Sequence, residues 1–158
     1  MQFTFLADRP SFVPTIAKWY FDQWGHAVTG NSYEATCARI KANLEEAGLP
    51  IYLLAVHDDQ VLGVAQLKLR EMDIYPDYAF WLGGVYVSGA ARVQGIASGL
   101  CRQIIDIARD REVGTLYLQT ERLNGGLYAK LGWQAIEQIH YRGYDVLVMQ
   151  RQVSADGL

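Results

Sequence analysis

Cysteine is scarce in this chain, with two in 158 residues, Cys37 and Cys101. They lie far apart and fit neither a metal-ligand spacing nor a disulfide framework, so two reduced thiols and no metal are expected. An excess of basic charge is also lacking: 14 Lys and Arg stand against 17 Asp and Glu, for a net charge of -3, with no run of one sign. A nucleic-acid partner would need a basic stripe, so none is expected. No stretch approaches the ~18 apolar residues of a membrane helix. The opening MQFTFLADRPSF has no basic start followed by an apolar core, so it does not read as a signal peptide. These absences point to a cytoplasmic protein without a membrane partner.

What is present is an ordinary globular balance, 51% hydrophobic and 20% charged, with ten Tyr and four Trp. A chain of this length buries about two-thirds of its unfolded surface, so one domain over residues 1–158 is expected. TFLA (Thr4 to Ala7) reads as a short first strand. From Ser11 to His26, Phe12, Ile16, Trp19, Tyr20 and Trp24 recur at helical spacing. Ser32 caps a second helix that carries Ala35 to Ala47 and ends at Gly48-Leu49-Pro50. Ile51 to Val56 and Val61 to Leu69 form a hairpin around HDDQ. Ala79 to Val87 reads as a central strand interrupted by Gly83 and Gly84, which mark a bulge or a close approach. Ala97 to Arg111 is the strongest amphipathic pattern. Thr115 to Thr120 is a strand, Gly125 to Lys130 a short helix, and two strands follow near Trp133 to Tyr141 and Tyr144 to Val153. The order β-α-α-β-β-β-α-β-α-β-β predicts an α/β (α+β) fold: a mixed sheet flanked by helices.

The informative stretch is VYVSGAARVQGIASGL, Val85 to Leu100. A strand passes through a small-residue turn into a helix. The first amides of a helix have no internal acceptor and the helix dipole is positive there. Small side chains let a bulky anion approach those donors, which makes the turn a phosphate-binding device, and Arg92 adds a fixed charge. The same features also suit a plain tight turn. There is no Walker GKS or GKT, and no GxGxxG after the first strand.

Arg92-Val93-Gln94-Gly95-Ile96-Ala97 fits the (Q/R)xxGx(G/A) signature of the GNAT N-acetyltransferases, and the chain resembles that superfamily over nearly its whole length. Asn124-Gly125-Gly126-Leu127-Tyr128-Ala129-Lys130-Leu131-Gly132-Trp133 is similar to the family's second signature. PDYAFWLGGVYV resembles a bacterial branch whose fourth strand carries WLGGVYV. The resemblance implies a central, mostly antiparallel sheet of about seven strands with about four helices. It also implies an acyltransferase that moves acetyl from acetyl-CoA, its cosubstrate, to an amine. The backbone of Val85, Tyr86 and Val87 would pair with the pantetheine arm. Arg92 and the amides of Val93, Gln94, Gly95, Ile96, Ala97 and Ser98 would hold the pyrophosphate. Asn124 would hydrogen-bond the pantetheine region, and Tyr128 would stand at the sulfur as the general acid. Val93, Gly89 and Ala97 depart from commoner family residues.

The chemistry fits those groups. A thiol of pKa ~8.5 is a tolerable leaving group that a nearby acid assists. An amide from Val85 to Val87 can polarise the thioester oxygen. Glu71, Asp73 and Glu121 are candidate bases, although a loop carboxylate more often is simply solvated; His57 and His140 read as ordinary turn and strand residues. Trp19, Tyr20, Trp24, Tyr75, Tyr78 and Trp81 are candidate acceptor-site rings, although the spacing of Trp19 and Tyr20 reads more readily as helix core. The alternative reading is a non-catalytic acyl-CoA-binding regulatory module. A nucleotide-binding α/β protein is a third reading. The acceptor is open, and a homodimer is a common arrangement among similar proteins.

Overall fold

The computed structural model describes residues 1–46, 48–92 and 95–153. Its elements run β1 (Gln2–Phe5), α1 (Val13–Gln23), α2 (Tyr33–Glu45), β2 (Ile51–His57), β3 (Gln60–Leu69), β4 (Phe80–Val87), α3 (Ile96–Asp110), β5 (Thr115–Thr120), α4 (Gly126–Lys130), β6 (Gln134–Tyr141) and β7 (Tyr144–Gln152). The element order is the expected one. The strands form one seven-stranded sheet in the order β1-β2-β3-β4-β5-β7-β6. β1 with β2, β5 with β7 and β6 with β7 are antiparallel, whereas β4 and β5 are parallel at Trp81↔Tyr117. The sheet is therefore mixed and mostly antiparallel in its described pairings.

Local chemistry explains most boundaries. Ser32 Oγ accepts from the Ala35 amide at 3.0 Å, so α2 starts where the cap predicts. It ends at Glu45, before the glycine and proline; Ala47, expected along this helix, lies outside the described residues. The helix expected from Ser11 begins at Val13, after a 3-10 turn over Pro10–Phe12. Pro14 permits a helix only through its first turn, which fixes the start. The first strand is Gln2–Phe5 rather than Thr4 to Ala7. Its register, Gln2↔Val56 to Phe5↔Leu53, is set by the partner strand, and Leu6 leaves the ladder in a 3-10 turn to become fully buried. Asp58 and Asp59 turn β2 into β3, and Arg142 and Gly143 turn β6 into β7. All four have positive φ, the backbone of a two-residue primed hairpin.

On α3, Leu100, Cys101, Ile104, Ile105 and Ala108 are buried while Arg102, Asp106 and Asp110 are exposed, as the spacing predicts; Ala97, expected on the apolar face, and Arg109, expected on the polar one, are half-buried, and Arg109 Nε donates to the Val153 carbonyl at 2.9 Å. The chain divides into two compact units. The first comprises Met1–Gln66 and Gly84–Leu100, and its core gathers Leu6, Ile16, Tyr20, Ile40, Leu54 and Val64. The second comprises Leu67–Gly83 and Cys101–Leu158, with Met72, Trp81, Val146 and Val148 at its centre. No helix of the described residues is long and apolar enough to cross a membrane.

Candidate functional site

In the first unit the glycine at the middle of β4 does what a strand-interior glycine predicts. Gly84 has φ +57°, a left-handed backbone that L side chains rarely adopt. The Tyr20 hydroxyl of α1 donates to the Gly84 carbonyl at 2.7 Å. A Cβ on Gly84 would sit 2.5 Å from Gln66 Nε2 and 2.7 Å from Tyr20 Oη. Both the backbone angle and the neighbours therefore demand glycine. Beyond it Val85, Tyr86 and Val87 are half-buried. The Tyr86 ring lies 5.1 Å from Trp19 and 5.9 Å from the Arg92 guanidinium. Arg92 Nε donates to the Val87 carbonyl at 3.2 Å, which ties this exposed cation to the end of the strand.

The strand stops where the Ser88 amide donates to Leu62, and a 3-10 turn over Gly89–Ala91 follows. Val93 and Gln94, both expected to offer amides, lie outside the described residues. Gly95 has φ +73°, and a Cβ there would meet nothing within 4 Å. Its carbonyl accepts from the Gly99 amide at 3.0 Å, so α3 closes its first turn there. The amides of Ile96, Ala97 and Ser98 precede that bond, and such first-turn donors have no acceptor within a helix. An open glycine ahead of the first-turn amides of a 15-residue helix, with an anchored arginine close in sequence, fits an anionic diphosphate.

The second unit holds the other expected site residues. Asn124 Oδ1 accepts from the Gly126 amide at 3.0 Å, so its oxygen is committed to the turn and its amide hydrogens remain for a ligand. Tyr128, on α4, is half-buried. Burial pushes its phenol well above its ordinary value, and the Cys101 thiol and Glu71 carboxylate push in the same direction. Trp133 meets the Tyr128 ring edge to face at 6.3 Å. Trp133 is 4% exposed, and its indole N–H has no partner among the described residues. Burial pushes the Cys101 thiol up to about 12, Arg102 pulling weakly the other way, so this cysteine is not a ready nucleophile.

The three carboxylates separate clearly. Glu71 is not the solvated loop residue that its neighbourhood in sequence suggests. Its side chain is 13% exposed, pairs with Lys68 at 3.1 Å and accepts from Gln119 Nε2 at 3.0 Å. A Cβ on Gly83 would collide with the Glu71 carboxylate, so that glycine is a close approach as well. Asp73 is exposed and takes the Tyr141 hydroxyl at 2.6 Å; that hydrogen bond holds its carboxyl below the usual range. Glu121 is exposed. His140 and His57 are exposed and sit against Asp145 and Asp58.

The rings divide too. Trp81 is fully buried and donates to the Tyr78 carbonyl, so it is core and not an acceptor-site wall. Tyr20 is core as well, but with its hydroxyl in use. Tyr78 stacks on Tyr117 at 4.0 Å and on Tyr75 at 4.9 Å. Sequence reasoning passed over Gln66, which is 7% exposed. A lone amide inside the apolar run of β3 was the available signal, because a buried polar group must have a partner.

The sequence profile of the Acetyltransferase (GNAT) family matches residues 13–133. No curated protein sequence matches significantly. Among solved structures, ribosomal-protein-alanine N-acetyltransferase from Brucella melitensis superposes with a TM-score of 0.74 at 22% identity, covering 96% of this chain and 99% of that one. The Salmonella typhimurium protein yncA, solved with acetyl-CoA, gives 0.70 at 21% identity over 97% and 94%. An aminoglycoside 6'-N-acetyltransferase complexed with coenzyme A gives 0.75 at 14% identity over 97% of each chain. At these identities the structural likeness shows the fold.

Proposed function

The chain belongs to the Acetyltransferase (GNAT) family and is an acyltransferase, and from that premise we propose that residues 1–158 work as one domain that transfers the acetyl group of acetyl-CoA to a primary amine of a small molecule, peptide or protein. The observation that carries the reading is the open, glycine-led start of α3. Acetyl-CoA supplies an activated acyl carbon and a thiol leaving group. Gly95, Ile96, Ala97 and Ser98 offer backbone amides to its diphosphate, Val93 and Gln94 complete that turn in sequence, and Arg92 adds charge. Val85, Tyr86 and Val87 lend strand backbone to the pantetheine arm, and Asn124 lends its side-chain amide hydrogens.

Tyr128 is the proton donor. The amine nitrogen bonds to the thioester carbon as the carbon–sulfur bond breaks, the phenol gives its hydrogen to the departing sulfur, and the proton that the nitrogen sheds returns through solvent to the phenolate, leaving an amide, the CoA thiol and a neutral Tyr128. Its pKa, raised by burial, keeps that hydrogen in place where an ordinary tyrosine would begin to lose it. The direct attack on acetyl-CoA needs no acyl-enzyme, consistent with a Cys101 thiol that stays protonated.

The test is release of free CoA from acetyl-CoA with a panel of amines: polyamines, aminoglycosides, amino acids and peptide N-termini. Release with at least one acceptor class is expected. Acetyl-CoA binding by calorimetry, with no release for any amine, would return the non-catalytic binding module.

A further inference from the structure

We infer that Tyr20 and Gln66 are positioning residues that fix the peptide plane between Gly84 and Val85, and so aim the Val85 amide that polarises the thioester oxygen. This rests on the acetyl-transfer reading and deepens it.

The geometry lies wholly within the first unit. In a regular strand the Gly84 carbonyl would join the ladder. Here it accepts from a side chain on α1, at 2.7 Å, and the φ of +57° is what lets it turn. A trans peptide is rigid and holds its carbonyl and its N–H in opposite directions. Whatever pins the Gly84 oxygen therefore pins the Val85 hydrogen. Tyr20 is well suited to the task. It is 9% exposed and packed between Trp24 at 5.5 Å and Tyr52 at 6.5 Å, so its ring has little freedom. Gln66 Nε2 and the Tyr20 hydroxyl lie 2.5 Å and 2.7 Å from the point where a Gly84 Cβ would stand, so the amide and the phenol close on the same side of that glycine. The hydroxyl donates to the carbonyl in a largely buried setting, where such a bond is stronger than in water, and Gln66, itself 7% exposed, packs against the same glycine. Burial also raises this phenol above its ordinary value, which favours the protonated donor.

A buried hydroxyl can equally be there for stability alone, and Tyr52 supplies the comparison. It is a second core tyrosine of the same unit, 5% exposed, whose oxygen accepts from Asn43 Nδ2 at 2.7 Å and which, among the described residues, makes no hydrogen bond to β4. Tyr20→Phe and Tyr52→Phe each remove one buried hydroxyl.

The experiment compares both variants with the unaltered chain by thermal unfolding, by calorimetry with acetyl-CoA, by steady-state CoA release and by NMR of the Val85 amide. Both variants should fold and lose similar thermal stability. Tyr20→Phe should lower kcat about ten-fold or more, a fraction of the 10²–10³ that loss of a whole oxyanion donor costs, with acceptor KM and acetyl-CoA affinity nearly unchanged. Tyr52→Phe should leave kcat as it was. In the unaltered chain the Val85 amide resonance should move with acetyl-CoA and not with CoA, and Tyr20→Phe should abolish that difference. A Val85 amide indifferent to the thioester overturns the inference whether or not turnover is seen, and so does equal loss of kcat in both variants. If acetyl-CoA does not bind the unaltered chain at all, the functional reading itself fails and the inference falls with it.

Discussion

Two glycine turns precede helices in this chain, and they use glycine for opposite reasons. The turn into α3 ends at Gly95, where an added Cβ would meet nothing within 4 Å. The turn into α4 holds Gly125, where a Cβ would meet the Ala129 Cβ at 2.9 Å and the Met149 Cε at 3.1 Å. Both have positive φ, +73° and +85°. The first is open at its glycine and leads into a 15-residue helix. The second satisfies itself through Asn124 and leads into a helix of five residues. The lesson is that a signature glycine can serve access or packing, and only its surroundings tell which. On this view the first turn holds the anion and the second aims Tyr128.

The strongest way to break the comparison is to close the open turn. Gly95→Glu places bulk and negative charge ahead of the first-turn amides of α3. Acetyl-CoA affinity should fall at least ~100-fold, about 3 kcal/mol. Gly95→Ala carries the same left-handed backbone cost, of about 1–2 kcal/mol, without the charge, and calorimetry should show a much smaller loss of affinity. Equal affinities for Gly95→Glu and Gly95→Ala would mean that no phosphate sits at this turn.

Much of this division was already readable in the chain. Element order, the Ser32 cap, the buried face of α3 and the glycine pair in β4 all follow from local spacing and turn chemistry. Membership of the family was readable because two signatures flank a strand–helix and a turn–helix unit. What stayed hidden depends on pairing at a distance. Nothing near Glu71 in sequence announces that Gln119 and Gly83 enclose it. Nothing in the period of α1 says that the Tyr20 hydroxyl is aimed at a carbonyl 64 residues away. Trp81 read as an acceptor-site ring and is core, because a strand pattern does not say which rings the sheet covers. The first strand slipped toward the N-terminus because β2 sets its register.

The second turn is sharpened through Tyr128. Tyr128→Phe should lower kcat by about 10²-fold, within the usual span for a lost general acid, while acetyl-CoA affinity stays close to its original value. The pH profile adds a sign. A phenol raised above its ordinary value of about 10 is still protonated where an unperturbed tyrosine would ionise. Rate should therefore climb with pH as the acceptor amine loses its proton, with no falling limb from Tyr128 up to that value. A falling limb at or below pH 10 that vanishes in Tyr128→Phe would contradict the raised pKa. Unchanged turnover in that variant would take Tyr128 out of the acid role.

The smallest effect is expected where glycine serves packing. Gly125→Ala must push against Ala129 and the flexible end of Met149 while keeping a left-handed backbone. Overpacking of this kind costs about 1–3 kcal/mol, read as a lower unfolding midpoint in denaturant. Acetyl-CoA affinity should change less than two-fold, because the diphosphate is assigned to the other turn. The two alanine variants then form a pair. At Gly95 the methyl enters open space, and any cost in stability comes from backbone angle alone; at Gly125 the same angle is joined by collision. If Gly125→Ala were the better tolerated of the two in denaturant, the contrast between an open turn and a packed one would be wrong.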